Sequence, residues 1–339
     1  MRKTEYLDSS VMGIQRAAEV LQAGGIVAFP TETVYGLGID ARLDRAAEEL
    51  FQAKGRPPDN PLIVHLARIE DWPMVAAEMP LSAAQLLHRF APGPLTVVVP
   101  KAPAISARVT AGLDTVGLRI PAHPVARELL LQAGVPVAAP SANRSGRPSA
   151  TTWKSVREDL DGRIDAVLCA DTIQVGVEST VVDCTGQIPI VLRSGGVTMD
   201  ALRQACQGEV GVADQSPELA RRSPGVRHPH YQPRAEVVLV DCLATTAIPG
   251  DATQPIAYCG LTPLPEQAAR NVVLYRHFAS VEDYARGFYE FLREADRAGA
   301  RIVLVEPAPA SGVGWALLDR QRRAAAPRDS MRQQKTAKQ

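Results

Sequence analysis

Short apolar runs alternate along this chain with stretches whose apolar residues recur at helical spacing. The helical stretches include residues 14–23 and 41–54, and the apolar runs between such stretches are IVAF, PLIVHL, LTVVV, TVGLRI and VPVAA. Strands that are covered on both faces read as continuous runs of Val and Ile, whereas a helix that covers a sheet is apolar along one face. The alternation therefore predicts an α/β fold in which helices flank a largely buried sheet.

The same pattern continues to about residue 207, where it breaks. Beyond the break, the segment SPGVRHPHYQP, Ser223 to Pro233, contains three prolines in eleven residues and no periodicity, which is typical of a linker. A further series of apolar runs and one long helical stretch follow it. Because 339 residues are enough for two domains, we predict a second, smaller α/β unit there. Before the break, helices are expected over residues 82–90, 124–133 and 151–160, and strands near residues 165–169, 179–184 and 189–193.

Composition argues against several classes of protein. No run of about 18 apolar residues is present, and the first ten residues, MRKTEYLDSS, lack the apolar core of a secretory signal. We therefore expect a cytoplasmic protein without a membrane span. Five widely spaced cysteines without a C-x-x-C pair argue against both a disulfide framework and a zinc site.

The charge balance bears on nucleic acids. The formal net charge is zero, so the chain as a whole is not built to hold polyanions. Tight stand-alone binding of RNA is therefore not expected, and phosphate chemistry would depend on local clusters of cations. The last twenty residues carry seven Arg or Lys against one Asp, and they form either a solvated tail or a nucleic-acid contact.

Two segments place cations where a ligand could meet them. In AKGRPPDNPL, Lys54 and Arg56 follow a predicted helix and precede a rigid proline pair and Asn60. Such a pair is usually a solvated surface, but a guanidinium and an ammonium on one loop also suit a polyphosphate. In TVGLRIP, Arg119 lies within or at the end of an apolar strand, and a buried arginine needs a partner. That partner is either a carboxylate of the protein or the carboxylate of a ligand such as an amino acid.

Small hydroxyls and glycines flank three other predicted strands. Ser141 and Asn143 leave the strand VPVAA in the segment PSANRSGRPS, which ends at Ser149 before a predicted helix. Hydroxyls and backbone N–H groups at such a junction can bind phosphate, although a helix N-cap would also explain Ser149. The segment VEST enters one strand, and Arg193 leaves another before two glycines. Neither a P-loop nor a Gly-x-Gly-x-x-Gly fingerprint is present, so a nucleotide site here would be of neither common type.

Five motifs, taken in their order and spacing, closely resemble those of the threonylcarbamoyl-AMP synthase family in its long two-domain form: PTETVYGLG, KGRPPDNPL, GLRIP, PSAN and VEST. The resemblance implies a YrdC-like catalytic domain with a twisted mixed sheet over residues 10–207. It further implies a linker or lid over residues 208–233 and a smaller Rossmann-like α/β domain over residues 234–325. From their composition, residues 326–339 are expected to form a disordered basic tail. One departure is Asp319, where the family pattern leads us to expect asparagine.

The resemblance implies an enzyme, a nucleotidyltransferase that combines L-threonine, bicarbonate or CO₂, and ATP into threonylcarbamoyl-AMP and pyrophosphate. This reaction is the first step of the threonylcarbamoyladenosine modification of tRNA, and threonylcarbamoyl-transferase proteins would complete it. Mg²⁺ would accompany ATP, without a tightly bound organic cofactor or a metal bound by the protein. Such an enzyme need not hold tRNA tightly, which agrees with the zero net charge.

Carried over residue by residue, the resemblance assigns two groups of contacts. The predicted ATP contacts are Lys54, Arg56, Asn60, Thr115, Ser141, Asn143, Ser149, Arg193, Arg227 and Tyr231. The predicted threonine contacts are Thr31, His65, Arg119, Ser179 and the backbone of Ala139. Lys54 and Arg56 would be catalytic through the triphosphate, Arg119 would bind the threonine carboxylate, and His65 is assigned binding without proton transfer. Arg227 and Tyr231 would close a lid that excludes water from the adenylate, although a passive tether is the alternative.

Two other functions stay open at this point. A related class of enzymes makes carbamoyl-adenylate from carbamoyl phosphate during hydrogenase maturation, but those proteins resemble multi-domain chains with paired-cysteine zinc motifs that this sequence lacks. An RNA-binding module is supported only by local Lys and Arg clusters and by the tail. Salt-sensitive RNA binding without pyrophosphate release from ATP would favour that module.

Overall fold

The computed structural model describes residues 2–170, 173–213, 222–223, 230–241, 254–264 and 271–327. The chain divides into two compact units, and each unit has its own sheet. The first unit comprises Met1–Ser145 and Ser149–Arg227, and the second comprises Gly146–Pro148 and His228–Gln339.

The first unit alternates strands and helices, as the sequence pattern predicts. Its helices are α1 (Val11–Gln22), α2 (Asp44–Lys54), α3 (Leu81–Phe90), α4 (Pro124–Ala133), α5 (Trp153–Leu160) and α6 (Met199–Cys206), with a 3-10 helix at Ile69–Met74. Its strands are β1 (Glu5–Asp8), β2 (Val27–Phe29), β3 (Gly36–Asp40), β4 (Ile63–His65), β5 (Leu95–Pro100), β6 (Thr115–Arg119), β7 (Val137–Ala138), β8 (Ala166–Cys169), β9 (Thr180–Asp183), β10 (Ile190–Arg193) and β11 (Gly211–Val212).

Within the described residues these strands form a mixed sheet of eleven strands in the order β1-β8-β2-β3-β7-β4-β6-β5-β9-β10-β11. Strand β4 runs parallel to β6, and β5 runs parallel to β9, whereas β5 and β6 are antiparallel. Strands β2, β3, β4 and β9 are buried along their whole length. The predicted α/β fold with a largely buried mixed sheet is therefore confirmed.

Strand β3 is not predicted by the sequence pattern, because glycine is depleted in strands. It pairs antiparallel with β2, so that Phe29 lies opposite Gly36 and Val27 lies opposite Gly38. A Cβ atom added at Gly38 would lie 2.8 Å from both the Phe29 ring and the Val137 side chain. The glycines of β3 therefore leave room for a buried aromatic ring.

Helices cover this sheet with their apolar faces. Helix α1 begins after Ser10, whose hydroxyl accepts a hydrogen bond from the Gly13 N–H. Ala17 and Leu21, four residues apart, are fully buried and share a core cluster with Leu129 of α4. The helical spacing of residues 14–23 therefore marks a face that packs in the core.

The second unit contains β12 (Glu236–Leu239), β13 (Ile256–Gly260), β14 (Val272–His277) and β15 (Ile302–Val305), with helices α7 (Val281–Arg297) and α8 (Val313–Ala324). Among its described residues, the four strands are all parallel and lie in the order β12-β15-β13-β14. Helix α7 buries Phe288, Phe291 and Leu292. The predicted smaller α/β unit with a Rossmann-like parallel sheet is confirmed.

Asp319, where the family pattern predicts asparagine, is paired within α8. Its Oδ2 accepts hydrogen bonds from Arg320 Nη1 at 2.7 Å and from Arg323 Nε at 2.9 Å. Burial raises the pKa of the Asp319 carboxyl, but the two guanidinium groups outweigh burial, so the pKa lies below its usual value. The departure thus supplies an anionic partner for two arginines.

In the part of the chain that the structure describes, no helix has both the length and the apolar character needed to cross a bilayer. Cys169, Cys184, Cys206 and Cys259 carry free thiols. Cys242 lies outside the described residues.

Candidate active site

Arg119 and His65 lie side by side on one face of the first sheet. They are register partners on the parallel strands β6 and β4. Gly117 of β6 lies opposite Val98 of β5, and side chains two residues apart on a strand point to the same face. Arg119 and Thr96, two residues beyond that pair, therefore share this face.

The line of side chains continues to Arg193 on β10. Thr96 is the register partner of Val181 on β9, and Val181 is the register partner of Arg193. The Ser179 hydroxyl connects the line directly, because it lies 2.8 Å from the Thr96 hydroxyl and accepts a hydrogen bond from Arg193 Nη2 at 3.2 Å. Neighbouring strands are about 4.8 Å apart, so three spacings separate Arg193 from Arg119 by about 14 Å.

Arg119 is held by protein groups on two of its three nitrogens. Nη2 donates to Glu32 Oε1 at 2.6 Å and to Thr33 Oγ1 at 3.0 Å, and Nε donates to the Gly93 carbonyl at 3.4 Å. Nη1 donates to no acceptor among the described residues. Glu32 is therefore the protein carboxylate that the sequence left open, and Nη1 can still take a ligand.

Glu32 is almost completely buried, with 2% of its surface exposed. Its Oε2 accepts a hydrogen bond from the Ala122 N–H at 3.0 Å, and its backbone carbonyl accepts one from the Val175 N–H at 2.8 Å. Burial raises the pKa of the Glu32 carboxyl, but Arg119 and the hydrogen bonds outweigh burial, so the pKa lies below its usual value. The Glu32 carboxyl is thus ionised at neutral pH.

His65 is buried beside Arg119. Burial, together with the positive charge of Arg119, lowers the pKa of His65 to about 3. Its Nδ1 lies 3.2 Å from the Ile63 carbonyl. The Ala139 N–H donates to the same carbonyl at 2.8 Å. His65 is therefore neutral at neutral pH and is too weak a base to take up a proton there.

Thr31 stabilises the turn between β2 and β3. Its hydroxyl donates to the Val34 carbonyl at 2.6 Å and accepts a hydrogen bond from the Thr33 N–H at 3.2 Å. The segment from Thr31 to Gly36 also joins two parts of the site, because Gly36 forms a β-bridge with Ser141. The hydroxyls after IVAF therefore do more than form a loop, since they lie between the Arg119 cluster and the PSAN segment.

Lys54 is the last residue of α2, and Gly55 follows it in the left-handed region with a φ of 62°. The Lys54 ammonium is buried and donates to the backbone carbonyls of Ser141 and Asn143. The Ser141 hydroxyl in turn donates to Asn143 Oδ1 at 2.5 Å. Lys54 therefore fixes the position of the PSAN segment.

Arg56 and Asn60 are buried as well, so the Lys-x-Arg pair is not a solvated surface. Arg56 Nη2 donates to the carbonyls of Asn60 at 3.2 Å and Pro61 at 3.1 Å. These bonds close the KGRPPDNP loop on itself and orient the guanidinium within it.

Ser149 lies at the end of the segment PSANRSGRPS. Its Oγ donates to Glu178 Oε1 at 2.7 Å, which connects the PSAN segment with VEST. The N-cap of α5 is Thr152, so the interpretation of Ser149 as a helix cap is wrong. A Cβ added at Gly195 would lie 2.2 Å from the backbone of Ser179, so the first of the two glycines after Arg193 packs directly on VEST.

The other three predicted ATP contacts are Thr115, Tyr231 and Arg227, and only Thr115 is a described residue of the first unit. Thr115 is at the opposite end of β6 from Arg119, on the same face and about 13 Å away by strand rise. Tyr231 belongs to the second unit, where its ring lies 5.2 Å from that of Tyr289 and under the Arg320 guanidinium at 5.8 Å. Arg227 lies outside the described residues. Their contacts with a nucleotide stay predictions.

Sequence reasoning did not assign roles to three residues that hold the site together, namely Glu32, Thr33 and Glu178. Each occurs inside a motif that was singled out, PTET or VEST. The available signal was a charged residue beside a buried strand, which requires a partner. The identity of that partner depends on contacts between distant parts of the chain.

No cluster of three or more His, Cys, Asp or Glu suited to holding a metal ion occurs within the described ranges.

Comparisons with known proteins agree along nearly the whole chain. Residues 19–195 match a family model named for Sua5, YciO and YrdC and described as telomere recombination. Residues 197–326 match a model described as the C-terminal domain of threonylcarbamoyl-AMP synthase.

Individual relatives also match nearly the whole chain. Threonylcarbamoyl-AMP synthase of Pyrococcus abyssi is 38% identical over 92% of this chain and 93% of its own length. The synthase of Bacillus subtilis is 39% identical over 95% of each chain. A crystal structure of P. abyssi Sua5 complexed with L-threonine matches with a TM-score of 0.84 at 35% identity, covering 95% of this chain and 97% of that one. From the motifs, the fold and these matches, the chain belongs to the threonylcarbamoyl-AMP synthase family.

Proposed function

We propose that this protein forms L-threonylcarbamoyladenylate from L-threonine, bicarbonate or CO₂, and ATP, with release of pyrophosphate. The observation that carries the proposal is the pair of buried arginines, Arg119 and Arg193, whose backbone positions are three strand spacings, or about 14 Å, apart in the sheet. One suits the carboxylate of an amino acid, and the other lies among hydroxyls that suit phosphate. Relatives carry the name of this activity, and P. abyssi Sua5 was crystallised with L-threonine.

The amino acid would bind at the Arg119 end of this face. Its carboxylate would accept from Nη1, since Nη2 is occupied by Glu32 and Thr33. Neutral His65 would contribute a contact without moving a proton, because its pKa is about 3. Thr31, Ser179 and the backbone of Ala139 would complete the pocket.

The nucleotide would bind at the Arg193 end and along the PSAN segment. Arg193 approaches Ser179 through two nitrogens, which orients its planar donor group. Lys54 would act on the triphosphate both by charge and by fixing the PSAN segment. The remaining nucleotide contacts in this proposal are Arg56, Asn60, Thr115, Ser141, Asn143 and Ser149.

The chemistry requires two bond-forming steps. The deprotonated threonine amine attacks carbon of CO₂, which forms an N–C bond and gives a carbamate, while the amine protons pass to solvent or a base. An oxygen of the carbamate then attacks the α-phosphorus of ATP, and the bond from that phosphorus to pyrophosphate breaks. No covalent enzyme intermediate is needed, so the residues act by positioning the substrates and neutralising charge.

Mg²⁺ would enter with ATP and neutralise phosphate charge when it is bound. The site residues named here would hold the phosphates and leave the ion to phosphate oxygens and water. The product is a reactive adenylate, so threonylcarbamoyl-transferase proteins acting on tRNA are its proposed recipients.

The test is release of pyrophosphate by the purified full-length protein with ATP, MgCl₂ and bicarbonate. Threonine is present, absent or replaced by serine, and a separate arm supplies carbamoyl phosphate without threonine. The proposal expects release that requires threonine and is much weaker with serine. Release that is independent of threonine, or RNA binding without release, would assign the chain to one of the other two functions.

A further inference from the structure

We propose that Glu32 is a positioning residue for the amino-acid substrate, because it fixes the guanidinium of Arg119 so that Nη1 faces the ligand. The inference rests on the proposed function and goes beyond it, since it concerns how the threonine pocket is set before substrate arrives. Its basis is the set of hydrogen bonds around two buried charges.

The geometry leaves Arg119 one orientation. Nη2 has two N–H groups, and Glu32 and Thr33 accept one each, while Nε donates to the Gly93 carbonyl. A planar guanidinium that is bonded at Nη2 and Nε cannot rotate without breaking these bonds. Nη1 therefore points in a fixed direction, and a substrate carboxylate meets donors that need no rearrangement.

Glu32 is fixed just as firmly. Its two oxygens have different partners, Oε1 with Arg119 and Oε2 with the Ala122 N–H, and its backbone carbonyl accepts from Val175. A glutamine offers only one acceptor oxygen, so it cannot accept from both Arg119 and Ala122. Aspartate is one methylene shorter and cannot reach both. The site thus requires a carboxylate with the length of glutamate.

Glu32 also balances the charge of Arg119 within the protein. Arg119 is 4% exposed, and the two side chains form an ion pair at 2.6 Å. A buried guanidinium without its partner turns toward any available acceptor or toward water. Removing Glu32 should therefore loosen Arg119 and weaken threonine binding, even though the positive charge in the pocket would be less compensated.

The test compares Glu32→Gln with the wild type by steady-state pyrophosphate release. We expect KM for threonine to rise about 10- to 100-fold, as for loss of a charge-assisted bond. KM for ATP and kcat at saturating threonine should change less than about threefold. An unchanged or lowered KM for threonine overturns the inference, and so does an equal rise in both KM values.

The matched control is Asp40→Asn. Asp40 is also 2% exposed and also forms a 2.6 Å ion pair, with Arg42, and the hydrogen bonds that its carboxylate accepts from described residues are all from Arg42. We expect both KM values of this variant to stay near the wild-type values. Thermal denaturation of each variant shows whether it folds.

Two further variants keep the test decisive. If Glu32→Gln does not fold, Glu32→Asp takes its place, because it keeps the charge but is too short to reach both Arg119 and the Ala122 N–H, and an unchanged KM for threonine in that variant overturns the inference. In an Arg119→Ala background, Glu32→Gln should add little further loss of threonine affinity, because Glu32 acts through Arg119. Wild-type protein without threonine-dependent release would instead refute the proposed function, and isothermal calorimetry with threonine alone would still report on Glu32.

Discussion

Replacing Lys54 by methionine should separate two roles of this buried lysine, contact with phosphate and support of the PSAN segment. Methionine keeps an unbranched side chain but removes the charge and the donors. The carbonyls of Ser141 and Asn143 then lose the hydrogen bonds that the ammonium supplies. We expect lower stability even in the absence of ATP.

The magnitude follows from the burial of the two carbonyls. Each buried carbonyl that loses its donor costs about 1–3 kcal/mol, or about 2–6 kcal/mol for the pair. The wild type also carries the cost of a desolvated ammonium, which methionine removes. A net loss of about 2–4 kcal/mol corresponds to a melting temperature about 4–16 °C lower for a domain of this size.

Differential scanning calorimetry of the full-length protein measures this loss, first without ligand and then with ATP. The matched control is Lys101→Met, because Lys101 donates a single long bond of 3.3 Å to the Ile105 carbonyl and is only partly buried. We expect the control to melt within about 2 °C of the wild type. In the pyrophosphate assay, Lys54→Met should raise KM for ATP about tenfold or more.

The reasoning would be refuted if Lys54→Met melted as the wild type does. A normal melting temperature with a raised KM for ATP would mean that Lys54 acts only on phosphate and does not hold the segment. A lowered melting temperature with an unchanged KM would mean that the segment does not bind the nucleotide.

Three other predictions concern separate parts of the first unit. The pKa of His65 is about 3 in the folded protein against 6.5 when unfolded, so the folded state binds fewer protons and stability falls as pH drops from 6.5 toward 3. At pH 5 this loss is about 2 kcal/mol. In urea denaturation, the difference in free energy of unfolding between pH 7.5 and pH 5 should therefore be about 2 kcal/mol smaller for His65→Gln than for the wild type. Arg193→Lys keeps the positive charge but loses the hydrogen bonds that the guanidinium donates to Ser179, so KM for ATP should rise about tenfold in the pyrophosphate assay. An unchanged KM for ATP would exclude the idea that these bonds orient Arg193 toward the nucleotide. Gly195→Ala places a Cβ 2.2 Å from backbone atoms and should lower the free energy of unfolding by about 3 kcal/mol. The control is Gly186→Ala, whose added Cβ would lie 3.8 Å from the nearest atom and should leave the free energy of unfolding unchanged. Equal urea midpoints for the two variants would contradict the packing argument.

The sequence predicts elements well where one periodicity dominates. Residues 124–133 were predicted as a helix and form α4, Pro124–Ala133, because Pro at the first turn and Gly134 after the last mark both ends. Strand β3 was not predicted, because glycine has a low propensity for strands. Its glycines are needed there because the Phe29 ring of the neighbouring strand fills the space where their side chains would be. Rules based on neighbouring residues in the sequence do not take account of a side chain that packs from another strand.

The same limit applies to the site. The motifs with Arg119, Lys54 and Arg193 could be identified one by one, because polar residues beside buried strands are unusual. The pairing of Arg119 with Glu32 could not, because 87 residues separate them and a ligand carboxylate would satisfy the same arginine. Family resemblance supplied the roles, and only the fold supplied the partners.

The order of strands has a consequence for how the protein is made. Strand β8 lies between β1 and β2, and β9 and β10 lie beyond β5, so neighbours in space are synthesised far apart in time. Strands β1 and β2 both pair with β8, so in a nascent chain these pairings cannot form until Ala166–Cys169 has been synthesised. Such non-local pairing makes folding slow and leaves unpaired edges exposed meanwhile. Ligand-binding capacity should therefore arise late in translation and abruptly, only once Arg193 has left the exit tunnel.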